Sequence, residues 1–211
     1  MRRAAAATAA ALLLAFGPPA APAAGQEVQL VAPRSGTAAP LQVWASHAEG
    51  VWTVRIADEA GRERQRLAVP GEAGEATPFV ADADGDEAGD LWVPVMGGTA
   101  NIAYALWIMQ PREGRFRPAG EVSGLAFARD PGGWLVAQAR NGCCAVSLTF
   151  YAFPRSGGLR EVFAIERQLG PDGSMQRCTP RGAVPRDVLR PWCGRGGAAE
   201  GWPPGVTPLL R

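Results

Sequence analysis

The 211 residues predict an all-β fold: a propeller-like or sandwich array of short antiparallel strands with an irregular, disulfide-stapled C-terminal tail. Three observations carry that prediction. From Val28 to about Leu169, short apolar or alternating runs recur between turns rich in Gly, Pro, Asn and Asp. Helix signals are few over the same span, which argues against βαβ units. Beyond Gly170 seven prolines stand in a Gly- and Arg-rich background that opposes sheet formation.

In chain order, Met1-Arg2-Arg3 is a short basic region and Ala4 to Phe16 an apolar run of signal-peptide length. Gly17-Pro18-Pro19 breaks the run, and Ala21-Pro22-Ala23 offers an Ala-x-Ala cleavage site. Residues 1–23 therefore read as a secretory signal, and the mature chain as periplasmic or secreted. No later stretch approaches the roughly 20 apolar residues of a membrane span.

Residues 24–169 form the expected β-domain. Val51-Trp52-Thr53-Val54-Arg55-Ile56 alternates apolar and polar, Asp58-Glu59-Ala60-Gly61 turns, and Arg66-Leu67-Ala68-Val69 returns as its partner. Leu91–Val95, Ala103–Met109, Trp134–Ala139, Ser147–Phe153 and Leu159–Ile165 continue the pattern. The Trp and Phe residues at strand positions are expected in the core.

One stretch breaks the apolar rhythm. Asp82, Asp84, Asp86 and Asp90 fall at positions 1, 3, 5 and 9 of a loop over 82–91. That spacing points carboxylate oxygens into one hole, which suits Ca²⁺, a hard cation taking six to eight oxygens at roughly 2.3–2.6 Å. Between Leu67 and Pro111 there are seven acids and no Arg or Lys, so like-charge repulsion also favours a cation there. A solvated acidic turn is the competing reading. Position 6 is Glu87 and position 12 is Val93, and β-prone segments flank the loop, so it is not an EF-hand. It resembles the Asp-x-Asp-x-Asp-Gly-x-x-Asp-Leu calcium loop of FG-GAP-type propeller blades, matched by Asp82, Asp84, Asp86, Asp90 and Leu91. The glycine of that pattern at position 6 is missing.

Residues 170–211 read as an extended tail, lying on the domain or partly disordered. Four cysteines in an exported chain imply two disulfides. Adjacent Cys143 and Cys144 would make a strained ring with each other, so each is expected to take one of Cys178 and Cys193, in either combination. All 21 basic residues are Arg. Without Arg2 and Arg3 the formal charge moves from +1 to −1, which gives no strong attraction to nucleic acid or an anionic membrane. From Arg112 onward there are 14 Arg against 8 acids, so the chain is acidic in its middle and basic beyond. The single His47 has no partnered Ser or Cys motif, and Gly-x-Ser-x-Gly and His-Glu-x-x-His are absent. The chain is not expected to be an enzyme.

After the Asp loop come Gly97-Gly98-Thr99-Ala100-Asn101, Tyr104-x-x-Trp107, Gly114-Arg115-Phe116, Tyr151-x-x-Pro154 and Gly158-Leu159. Over about 90 residues this order resembles the periplasmic immunity proteins that neutralise lysozyme-like effectors of bacterial type IV secretion, which are similar in shape to periplasmic lysozyme inhibitors. The resemblance implies inhibition of a lysozyme-like hydrolase by a loop inserted into its cleft. Inhibitors of that kind often carry Ser-Gly and a following Tyr, whereas this chain has Asn141-Gly142-Cys143-Cys144. The other candidate is Gly97, Gly98, Thr99 and Asn101 with Tyr104 at the far end, unless this is a plain Gly-rich hairpin turn. The alternative function is a secreted structural or carbohydrate- or protein-binding module.

Overall fold

The computed structural model describes residues 27–210 apart from 73, 99, 156 and 195–201. The expected signal segment and Thr99 lie outside the described residues. Among the described residues the chain is all-β, with one short helix.

The first sheet is an antiparallel meander of β1 (Glu27–Ala32), β2 (Leu41–Ala48), β3 (Val51–Ala57) and β4 (Glu63–Pro70) in sequence order. The second repeats that layout with β5 (Phe79–Ala81), β6 (Asp90–Met96), β7 (Ile102–Gln110) and β8 (Arg115–Gly124). A third begins as another meander of β9 (Ala126–Arg129), β10 (Leu135–Arg140), β11 (Ala145–Ala152) and β12 (Arg160–Leu169). It is then extended by β13 (Met175–Arg181) beside β12 and β14 (Thr207–Leu210) beside β9.

Period-two alternation explains how the sheets stack. On β3, Trp52, Val54 and Ile56 are buried, while Arg55 turns outward and lays its guanidinium 3.8 Å over the Trp44 ring. On β6, Leu91 and Val93 join the layer containing Val54, Ile56 and Leu67. The intervening Trp92 joins the opposite layer, with Tyr104, Leu106, Phe127 and Leu135. The second sheet is therefore covered on both faces, and Asp90 through Pro94 are all buried. A third apolar layer sets Val136, Leu148, Phe150 and Ile165 against the helix α1 (Arg186–Cys193) through Val188 and Trp192.

Side-chain amides clamp neighbouring sheets in the same way at two places. Gln65 on β4 donates to Phe116 O at 2.8 Å and accepts from Phe116 N at 2.7 Å. Asn101 donates to Arg140 O at 3.0 Å and accepts from Arg140 N at 2.8 Å. Each amide stands in for a strand neighbour, satisfying a backbone donor and acceptor where the ladder ends.

Two expectations about the C-terminal region are corrected. In its described residues the segment after Gly170 is not an irregular tail, since β13, α1 and β14 are all built into the domain. The two prolines on its strands are accommodated because both strands lie at sheet edges, Pro180 opposite Ile165 and Pro208 opposite Ala128. Inside α1, Trp192 is buried and its ring N–H donates to Asp130 Oδ2 at 2.9 Å. Buried Arg167 donates from Nε to Trp192 O at 2.9 Å, which docks the helix end on β12.

The cysteines pair differently too, as Cys143–Cys144 and Cys178–Cys193. The adjacent pair sits exposed at the β10–β11 tip. Cys178 on β13 instead meets the end of α1, with a Cα–Cα distance of 5.7 Å to Cys193. Folding of the tail into the sheet brings those two together and removes the need for a staple from the hairpin tip.

Candidate functional site

The acidic loop connects β5 to β6, where Ala81 pairs with Asp90. It lies where all three sheets meet. Ala83 is buried in the layer between the second and third sheets, and Ala88 in the layer between the first and second. Gly89 N donates to Pro33 O at 2.8 Å, tying the loop to the β1–β2 connection. From β9, Arg129 donates to Asp82 Oδ2 at 2.8 Å. Its guanidinium lies over Gly85, at φ +87, where a Cβ would overlap it.

Inside the loop the carboxylates organise the backbone. Asp82 accepts from Gly85 N at 2.6 Å and Glu87 N at 3.2 Å, and Asp86 accepts from Ala88 N at 2.8 Å. Glu87 occupies the position where the calcium-loop pattern has glycine. It adopts the conformation that glycine would supply, with φ +66. The missing glycine is thus tolerated, at a backbone cost.

Asp82, Asp84 and Asp86 each bring a carboxylate oxygen within 4.8 Å of the others. Only Asp82 has an arginine partner among the described residues. Burial, followed by the charge of Asp86, pushes the Asp84 carboxyl up to about 6. Three converging hard oxygen donors with surplus negative charge fit a divalent cation such as Ca²⁺. Asp90 has a different place. It is fully buried behind the loop, and its two oxygens accept from Ala83 N at 2.7 Å and Met109 N at 2.8 Å. Burial pushes its carboxyl up to about 8, against the pull of those two donors. Asp90 therefore joins β6 to β7 and to the start of the loop, and stands outside the converging trio.

The second candidate region is the pair of hairpin tips. Gly97 and Gly98 lie exposed between β6 and β7, after Met96, which is 63 % exposed. The Asn101–Arg140 clamp sets this tip beside the base of the Asn141–Cys144 tip, so the two alternative insertion loops of the sequence are neighbours. Next to them runs a groove of about 520 Å³ lined by Glu72, Glu75, Ala76, Gly97, Gly98 and Ile102. Glu72 and Glu75 are exposed and take part in no ion pair among the described residues. Tyr104 does not belong to this surface. It is only 3 % exposed and packs edge-on to Phe79 and Phe127, and the same burial raises its hydroxyl above its usual range. Its alternation with Ala103 and Ala105 on β7 turns it inward. His47 bonds Gly71 O at 2.9 Å and packs near Trp52, an ordinary structural role.

Arg129 and the two groove glutamates carried no motif in the sequence. Arg129 lies 47 positions from Asp82 and on another sheet. No known protein family, curated protein or solved structure matches this chain. Among the described residues, no helix is long and apolar enough to cross a membrane.

Proposed function

We propose that the protein is an exported, calcium-braced β-protein that inhibits a lysozyme-like cell-wall hydrolase without catalysis of its own, in the manner of periplasmic immunity proteins. The observation that carries this reading is the groove between Glu72, Glu75 and the exposed Gly97–Gly98 tip. An apolar slot with two free carboxylates on its rim suits a basic partner, and lysozyme-like enzymes are usually basic. The Asn101 clamp anchors the β7 end of the tip to β10, which limits the conformational entropy lost there on docking. Ca²⁺ held by Asp82, Asp84 and Asp86 would supply positive charge at the three-sheet junction, at the opposite end of β6 from the tip. The first two meanders each have the four-stranded layout of a propeller blade, in keeping with the FG-GAP-type reading of the loop.

The test is a peptidoglycan-hydrolysis assay with a panel of lysozyme-like enzymes, including any encoded beside this gene. The protein should slow at least one of them and hydrolyse nothing alone. Glu72→Gln with Glu75→Gln should weaken that inhibition about tenfold with an unchanged melting temperature. The inward placement of Tyr104, which removes the expected aromatic anchor, favours the second reading of a structural or binding module. A folded protein that inhibits no member of the panel decides for that second reading.

A further inference from the structure

A smaller cavity of about 160 Å³ opens on the outer side of the acidic loop, between β8 and the β11–β12 turn. Its walls include Asp84, Ile108, Gln110, Arg117, Phe153 and Arg155. Two arginines thus converge on one small space, although they come from different hairpins. Neither makes an ion pair among the described residues.

The setting of Arg117 is built. Gly157 has φ +88, and a Cβ there would come within 3.0 Å of the Arg117 guanidinium carbon. The guanidinium therefore rests against the Gly157 backbone, at a positive φ that favours glycine. The turn itself is fixed, since Gly157 N donates to Pro154 O at 2.8 Å and Leu159 N to Ala119 O at 2.7 Å. A guanidinium presents a planar fork of donors that matches the paired oxygens of a carboxylate or phosphate.

We propose that this cavity binds the oxyanion of a small ligand, a carboxylate or phosphate group held by Arg117 and Arg155. The volume is ample for such a group, which needs only a few water-sized positions. Gln110 adds an amide able to donate or accept, and Ile108 and Phe153 add apolar wall. The site is coupled to the acidic loop because Asp84 belongs to both. With no cation in the loop, Asp84 repels an anion in the cavity. A cation there removes that repulsion, and by linkage each ligand tightens the other. The arginine site stands without the calcium reading; only the coupling rests on it.

The experiment titrates the full chain with inorganic phosphate and, separately, with acetate at constant ionic strength, followed by calorimetry and amide NMR shifts. The expected result is saturable binding of at least one, with the largest shifts in residues 108–119 and 153–159 and in the loop around Asp84. Saturation by phosphate alone or acetate alone identifies the preferred group. Arg117→Ala and Arg155→Ala should each weaken binding about tenfold, the loss expected for one charge-assisted contact. Calcium should tighten acetate binding in the wild type, while Arg117→Ala keeps its thermal response to calcium. Equal acetate affinity with and without calcium supports the arginine site and removes the coupling. Absence of saturation by either anion, or binding that both alanine variants leave unchanged, overturns the proposal.

Discussion

Arg129 donates to Asp82 at 2.8 Å, so a strand of the third sheet reaches into the loop of the second. With side chains 29 % and 25 % exposed, the pair is shielded enough from water to contribute about 1 kcal/mol. In EDTA, Arg129→Ala should therefore lower the melting temperature by roughly 2–4 °C. Arg129 also supplies positive charge that a metal ion would replace. The variant should consequently gain more from calcium than the wild type does, whereas Asp84→Ala should lose most of the calcium response. Thermal melts with EDTA and with calcium check both. A wild-type curve that calcium leaves unmoved would reduce the loop to an acidic turn.

Glu87 holds φ +66 in a position suited to glycine. The left-handed conformation costs a side-chain-bearing residue about 1–2 kcal/mol, partly offset because glycine loses more freedom on folding. Glu87→Gly should stabilise the protein by a net 0.5–1 kcal/mol or about that. Urea unfolding resolves such a gain, and a drop in midpoint would show that the glutamate side chain contributes something its backbone angle hides.

The two disulfides should separate chemically. Tryptic digestion without reductant should leave Cys143 and Cys144 within one peptide and link the peptides carrying Cys178 and Cys193. Mild reductant should open the exposed hairpin pair first with little change in melting. Loss of Cys178–Cys193, which spans 15 positions, should cost about 3 kcal/mol. Any peptide joining Cys143 or Cys144 to the C-terminal region would refute this pairing.

Tyr104→Ala removes an aromatic side chain from a filled layer beside Trp92 and Phe127. A loss of about 3–4 kcal/mol is expected, with inhibition per folded molecule unchanged. Weaker inhibition at full stability would return Tyr104 to the surface.

The strands that were legible in the sequence are those with dense apolar alternation, such as Val51–Ala57 and Ile102–Gln110. β8 was hidden because Pro118, Gly120 and Glu121 dilute it, and its core contacts rest on Phe116 and Val122. In the tail the prolines suggested irregularity, because one-dimensional reading does not show that β13 and β14 are edge strands, where a missing N–H costs little. The Asp82–Asp84–Asp86 trio was legible from spacing, a local property. The inward role of Asp90, the reach of Arg129 and the groove walls all arise from contacts between segments far apart in the chain.

The pairing of β14 with β9 bears on how the molecule is assembled. β9, which carries Arg129, receives its outer neighbour from a segment about 80 positions later, with Thr207 opposite Arg129. As the chain emerges stepwise, the first two meanders can form from local hairpins, but β9 keeps a bare row of amides and carbonyls until residues 207–210 arrive. That interval is when two copies can exchange strands or stack edge to edge. A chain cut before Thr207 would stay in that state permanently, leaving the acidic junction supported by a strand with one side open.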